Sequence, residues 1–251
     1  FEDSYSCSLD DSARKGININ VAEFPYLWIL GNGGTGYYGT YTGDTFLISG
    51  AGCVYGGGES DYNAVNNINL DNKNLTTDFT SAFLSRFTSL LRLLVKNNAN
   101  VSIVDVSNSL SLISIEVQNT NVSLVDTENL INLETIYCFQ SNVSELNLSN
   151  LVNLLILECY TTNITALDPS NCILLVSLNC SNLGLTTLDI ANCTFLTSLR
   201  ATTNSLSFLD FSNSAVLDFV RIQSNQINNL VNSQLLIDLD AHGLSNGYFE
   251  S

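Results

Sequence analysis

The sequence predicts a β-solenoid, in which short strands stack in parallel, coil upon coil, around one shared aliphatic core. Three observations lead there. From Leu91 to about residue 230 one pattern is written seven times at a spacing of 21 residues, and a fixed period of this length marks a stacked-repeat architecture. Four aliphatic columns also stay in phase throughout. The first position reads Leu91, Leu112, Leu133, Leu154, Leu175, Leu196 and Leu217, and the fourth reads Leu94, Ile115, Ile136, Leu157, Leu178, Leu199 and Val220. The eleventh runs from Val101 to Ile227 and the fourteenth from Val104 to Leu230. Finally, pairs such as Leu199 with Ala201 and Leu209 with Phe211 alternate with the period of short strands. Each coil is therefore expected to give two strands to two opposed parallel sheets. No single copy can bury its own aliphatics, so neighbours must share a core.

Each coil nests two themes, LxxLx(C/V/A) and then (V/I/L)xx(L/V)D(V/L/I/F), as in LVSLNCSNLGLTTLDIANCTF from Leu175. This pattern resembles the leucine-rich repeats of bacterial and phage-encoded surface proteins, in particular the short 21-residue class. The resemblance covers residues 91–230 of 251. It implies a leucine-rich repeat fold and a binding or display surface, without naming a ligand.

The flanks differ from the repeats. Residues 1–66 hold two apolar runs, Ile17 to Val21 and Phe24 to Leu30, followed by Tyr37, Tyr38, Tyr41 and Thr45 to Ile48, all of which read as strands. Eleven of the fifteen glycines fall between Gly31 and Gly58. A small β-rich, Gly/Tyr-rich attachment region is expected. Gly31, Gly33 and Gly36 have the GxGxxG spacing of a dinucleotide loop, but YYGTYTGDT offers no helix to hold a pyrophosphate, so tight turns are the better reading. Residues 67–90 should cap the stack with a helix, placing Phe79, Phe83 and Phe87 on one face and Thr77 or Asp78 at its N-cap. Residues 231–251 should close the other end. Leu235, Leu236 and Leu239 share a helical face, Asn232 can cap its start, Gly243 can end it, and His242 lies in its last turn.

Composition excludes several classes of partner. With 24 acidic and 8 basic residues, the formal charge is -16, which opposes nucleic-acid phosphate and anionic membranes alike. No apolar run reaches the length of a membrane span. The chain contains no methionine, and this favours a processed, exported protein found extracellularly, at a cell surface or on a virion. Of seven cysteines, Cys138, Cys159 and Cys180 share the sixth position and Cys172 and Cys193 the nineteenth. Column membership makes them small core residues with free thiols. Cys7 and Cys53 form the one pair suited to a disulfide. No CxxC occurs and there is a single histidine, so no metal or other cofactor is expected.

In a solenoid the chemistry must lie on outward strand positions. The fifth and seventh positions carry Val95 and Asn97 in the first coil, Glu116 in the second, Tyr137 and Phe139, then Glu158 and Tyr160, and finally Arg200 and Arg221. Aromatic and arginine side chains are enriched in binding hot spots. Glu116, Tyr137, Phe139, Glu158, Tyr160, Arg200 and Arg221 are therefore the candidate ligand-binding residues. At the fifteenth position Asp105, Asp126, Asp168, Asp189 and Asp210 form a column interrupted by Asn147. Hydrogen bonds from turn residues such as Ser107, Ser170 and Ser212 would compensate their repulsion; a bridging calcium is the alternative. Asn108, Asn129, Asn150, Asn171, Asn192 and Asn213 are expected as a buried structural ladder at coil corners.

No nucleophile, base and orienting group can be assembled from these residues, so the chain reads as no enzyme. It is expected to be a recognition or adhesion protein displayed on a bacterial or phage surface, binding a protein or glycan through one sheet face. The rival reading is a structural subunit of a virion or extracellular filament, assembling into homo-oligomers or larger arrays through residues 1–66.

Overall fold

The computed structural model describes residues 14–21, 24–32, 36–41, 44–50, 65–72, 79–85 and 87–227, with side chains from residue 67 onward except those of Ala82 and Phe83. The expected C-terminal cap, with His242, and the Cys7 and Cys53 pair lie outside the described residues. The chain divides into two compact units, residues 1–122 and 123–251.

The first unit opens with an antiparallel meander of β1 (Arg14–Val21), β2 (Phe24–Asn32), β3 (Gly36–Tyr41) and β4 (Asp44–Gly50). Asn32 pairs with Gly36 across β2 and β3. The glycine-rich spacing thus joins strand to antiparallel strand, where a dinucleotide loop would lead into a helix. Next, β5 (Val65–Asn69) pairs antiparallel with β4 on one side and parallel with β6 (Arg92–Leu94) on the other, and so marks the change from meander to coil. β7 (Ser114–Glu116) continues the parallel order. Between β5 and β6 the long cap helix expected from the phenylalanine spacing is a single short turn, α1 (Ser81–Leu84). Phe79 instead bridges Val104 in parallel and is fully buried, as are Leu84 and Phe87. These residues fill core columns of a coil because Phe79 N–H and C=O both bond to the next coil, at Ile103 and Asp105.

The first coil corrects two positions in the repeat. Leu90 and Leu93 are buried and Leu91 is 37% exposed, and Leu93 rather than Leu94 pairs with Ile115. Leu90 therefore precedes Leu112 by 22 residues, whereas Val101 precedes Val122 by 21. One extra residue between Asn98 and Val101 absorbs the difference. In consequence Val95, expected on the outer face, is a fully buried core residue.

The second unit stacks β8 (Thr135–Tyr137), β9 (Ile156–Glu158), β10 (Ser177–Asn179), β11 (Ser198–Arg200) and β12 (Phe219–Arg221) in parallel and in register. Ile136, Leu157, Leu178, Leu199 and Val220 are thereby direct neighbours. Each of Leu133, Leu154, Leu175, Leu196 and Leu217 is fully buried, contributing about 1.5–3 kcal/mol apiece.

Each coil gives one strand, not two. The second theme, Leu206 to Phe211 for example, carries no assigned strand. Its end closes instead in two consecutive i to i+3 turns, Ser214 N–H to Phe211 C=O and Leu217 N–H to Ser214 C=O. The same pair recurs at Leu151 and Leu154, at Cys172 and Leu175, and at Cys193 and Leu196. Turning the backbone inward satisfies amides locally, which removes them from any inter-coil ladder.

Two adjacent positions make the corner after each strand. At the eighth, Asn119, Gln140, Thr161, Asn182, Thr203 and Ser224 all adopt a left-handed backbone with φ between 52° and 59°, and Asn72 and Asn97 do the same with φ 57° and 60°. At the ninth, a polar side chain turns inward. Asn98, Thr120, Ser141, Thr162, Asn204 and Asn225 each donate to the carbonyl three residues earlier. Leu183 breaks this column, and its own N–H and that of Leu185 donate to Asn204 Oδ1 at 3.2 and 2.9 Å. One asparagine thus serves two coils. The corner column from Asn108 to Asn213 is exposed, contrary to the expected buried ladder. Asn150, Asn192 and Asn213 reach carbonyls of the preceding coil from the solvent side.

Cys138, Cys159, Cys172, Cys180 and Cys193 are free and buried. Burial pushes the thiols of Cys138, Cys172 and Cys180 up to about 12 and that of Cys193 to about 11.

Candidate functional site

The residues expected to bind a ligand fall into three groups. Glu116 belongs to the first unit and is already engaged. Lys96 Nζ stands 2.9 Å from Glu116 Oε2 and 3.2 Å from Asp71 Oδ2. The hydrogen bond to Glu116 raises the pKa of Lys96, and burial raises that of Asp71 despite the same lysine. Gln118 Nε2 also points to Glu116 at 3.4 Å. Glu116 is therefore a support for the end of β7.

The second group is aromatic. Phe139 and Tyr160, one coil apart in the second unit, stack with ring centroids 4.5 Å apart and planes within 8°. In-register strands lie at about that separation, so the spacing of the rungs sets the spacing of the rings, and such a pair contributes about 0.5–1.5 kcal/mol beyond its burial. Tyr137 pairs in register with Glu158 on the same face. Burial and then the Glu158 carboxylate raise the Tyr160 pKa, so its hydroxyl stays a hydrogen-bond donor at neutral pH.

The third group is cationic. Arg200 and Arg221 are register partners on β11 and β12. The Arg200 guanidinium lies 4.5 Å and that of Arg221 5.0 Å from the centroid of a single ring, Phe219. Two like charges about 5 Å apart in water repel by about 1 kcal/mol, and cation–π contact returns about 0.5–1 kcal/mol each at exposed sites. Phe219, which the sequence did not single out, is thus what holds the pair together. Asn179, the register partner of Arg200, donates to Glu158 Oε2 at 3.0 Å. It thereby engages the carboxylate at the same strand position two coils from Arg200.

The fifteenth-position column lies away from this face. Asp105, Asp126, Asp168, Asp189 and Asp210 each accept the N–H two residues on, at 2.9–3.2 Å, and Asn147 accepts the same bond from Ser149. Hydrogen bonds from Ser170 and Ser212 lower the pKa of Asp168 and Asp210. For Asp105 burial opposes the shift, and the bonds from Ser107 and Ser81 together outweigh it. Among the described residues no cluster of three metal-ligating side chains occurs. An open groove of about 600 Å³ runs beside this column, lined by Glu145, Asn147, Ala166, Asp168, Thr187 and Asp189. Of its three carboxylates, Asp168 and Asp189 are engaged in turns.

One surface escaped the sequence reading. Ile131, Val152 and Ile173 at the twentieth position, with Phe195 and Val216 beside it at the twenty-first, are all exposed. The repeating apolar residue at a corner was the available signal, and assigning every in-phase aliphatic to the core concealed it.

Compared with solved structures, the chain is similar to internalin C2 of Listeria monocytogenes, with a TM-score of 0.65 over 77% of this chain and 83% of that one at 21% identity. Internalin F of the same organism matches with a TM-score of 0.54 at 20% identity, over 69% of this chain and 58% of that one. The fold is the leucine-rich repeat. The functional domain of InlJ, also from L. monocytogenes, matches over 67% of this chain with a TM-score of 0.53 at 21% identity. This chain covers 42% of that domain. That domain is described as including a cysteine ladder; in the leucine-rich repeat described here Cys138, Cys159 and Cys180 occupy one core column. No protein-family model matches the sequence, and no curated protein matches it.

No helix among the described residues is long and apolar enough to cross a membrane.

Proposed function

We propose that this leucine-rich repeat is a non-enzymatic recognition protein that binds a protein partner through the strand face of its second unit, as an adhesin acting outside the cell. The observation that carries this reading is the gathering of Tyr137, the Phe139–Tyr160 stack and the Arg200–Phe219–Arg221 group on five in-register strands. Aromatic residues and arginine dominate the energetics of protein interfaces, and a rigid parallel sheet presents them without the entropy cost of ordering a loop.

A protein suits this face better than a glycan. The stack axis of Phe139 and Tyr160 runs from rung to rung, so the rings turn their faces to each other and their edges outward. A pyranose packs on an exposed aromatic face, whereas a peptide side chain packs well against ring edges. The internalin likeness adds the fold, and that fold supplies extended surfaces of this kind.

The test is panning a yeast-displayed peptide library on the immobilised chain, followed by binding of the enriched sequences to the Tyr137→Ser, Phe139→Ser, Tyr160→Ser triple variant. Binding should be lost while the variant keeps its far-ultraviolet circular dichroism. Undiminished binding to the variant, or binding to a glycan array with no enriched peptide, refutes the proposal.

A further inference from the structure

Arg200 and Arg221 are the only basic residues after Lys96 in the whole sequence. All the other charged side chains after that point are acidic, yet these two stand next to each other on neighbouring strands. Neither forms an ion pair with any described residue. Glu158, the carboxylate at the same strand position two coils from Arg200, accepts from Asn179 instead. Phe219 lies within cation–π distance of both guanidiniums, a contact that engages the π-face of each group and leaves its in-plane N–H fork available. A repelling pair held in place by a ring, in a chain otherwise rich in acid, is arranged for an anion.

We propose that Arg200 and Arg221 form a carboxylate-binding subsite, which takes an acidic side chain of the partner protein beside the aromatic cluster of the same face. This rests on the recognition reading above and names its chemistry. Each guanidinium presents a planar fork of donors that matches carboxylate oxygens bidentately. A polyanion does not fit. Nucleic acid needs many cations in a row, and after Lys96 the sequence holds no lysine or arginine besides these two. The matching ligand carries one or two carboxylates flanked by neutral or apolar groups, which describes a short acidic peptide segment.

The experiment is nitrogen–proton NMR of the full chain, following the arginine Nε–H resonances of Arg200 and Arg221. The probe is an acetylated, amidated tetrapeptide with two adjacent aspartates, titrated to about 20 mM, since a few charge-assisted contacts alone correspond to millimolar affinity. Both resonances should shift together and saturate. The asparagine version of the peptide should leave them in place. Arg221→Gln, at an exposed position, and Arg200→Gln should each weaken binding roughly tenfold, in line with the loss of a charged hydrogen-bond pair. No saturable shift overturns the proposal, as does equal binding of inorganic phosphate or tighter binding of a sialylated trisaccharide. If the triple aromatic variant loses its library peptides while the arginine variants bind them undiminished, the subsite fails and the recognition reading stands.

Discussion

Replacing Asn204 with alanine tests how the coils are tied together. Its amide donates to Cys180 C=O at 2.9 Å, Ala201 C=O at 3.1 Å and Thr202 C=O at 3.4 Å, and its Oδ1 accepts from Leu183 N–H and Leu185 N–H. Alanine removes all five bonds. Ala201 C=O keeps a second donor in Asn225 at 2.8 Å, but Leu183 N–H and Leu185 N–H are left buried without their acceptor. Each orphaned N–H costs about 1–3 kcal/mol, which puts the total near 4 kcal/mol. Ser141→Ala, in the same column, removes one donor and one weak acceptor bond to Val143 N–H at 3.4 Å, and should cost about 1 kcal/mol. Urea unfolding monitored by circular dichroism gives the difference, and amide exchange shows where it arises. Leu183 and Leu185 amides should exchange faster in the Asn204 variant by orders of magnitude, since each 1.4 kcal/mol is about tenfold. Equal losses for the two variants, or unchanged exchange at Leu183, would refute the idea that Asn204 supplies the coil whose own ninth residue is leucine.

Three further outcomes follow from the same geometry. Thr161 has φ 55°, a region costly for β-branched residues and tolerated by asparagine. Thr161→Asn should therefore raise stability by about 0.5–1 kcal/mol, and keep an oxygen for Asn182 Nδ2, now 3.3 Å from Thr161 Oγ1; a lower melting temperature would contradict this. Asp168 and Asp210 have pKa values below 3.8 in the fold, so they contribute stability that is present above pH 3.8 and is lost as pH falls through their lower folded values. The Asp168→Asn, Asp210→Asn double variant should lag wild type in melting temperature near neutrality and converge with it as pH falls below 3.8, a differential that cancels the general relief of repulsion on acidification. A differential that widens on acidification would reverse the assignment. Finally, Cys138, Cys159, Cys172, Cys180 and Cys193 should resist a disulfide reagent at pH 8 in the native state and react together in guanidinium, because burial holds each thiol neutral. Rapid native labelling of any of the five, read by peptide mass, would show that its coil opens.

The part legible in the sequence was the part set by burial. Leu112 to Leu217 and Ile115 to Val220 are core residues because a repeating aliphatic can only be satisfied by its counterparts one coil away. The inward-facing cysteines follow from the same columns. Errors entered where periodicity was asked to decide backbone geometry. Leu209 and Phe211 alternate like a strand, yet they form none, and the segment ends in the turns at Ser214 and Leu217. The phenylalanine spacing at Phe79 and Phe87 fits a helix face, yet also fits core columns of an irregular coil. A single inserted residue near Asn98 moved Val95 from the face to the core, since one step along a strand reverses the direction of the side chain.

The sequence alone determined that the repeats are stacked coils, which aliphatic columns make their core from Leu112 onward, and that any chemistry of the repeats is confined to outward positions. It also nominated Tyr137, Phe139, Tyr160, Arg200 and Arg221 as side chains on one face. Only the tertiary structure decided how they are grouped: Phe139 stacked on Tyr160, both arginines against Phe219, and Glu116 withdrawn into an ion pair with Lys96. The reason is physical. Burial acts on each residue singly and leaves a period in the chain, whereas pairing across rungs depends on register and rotamer, which are fixed only once the coils lie against each other.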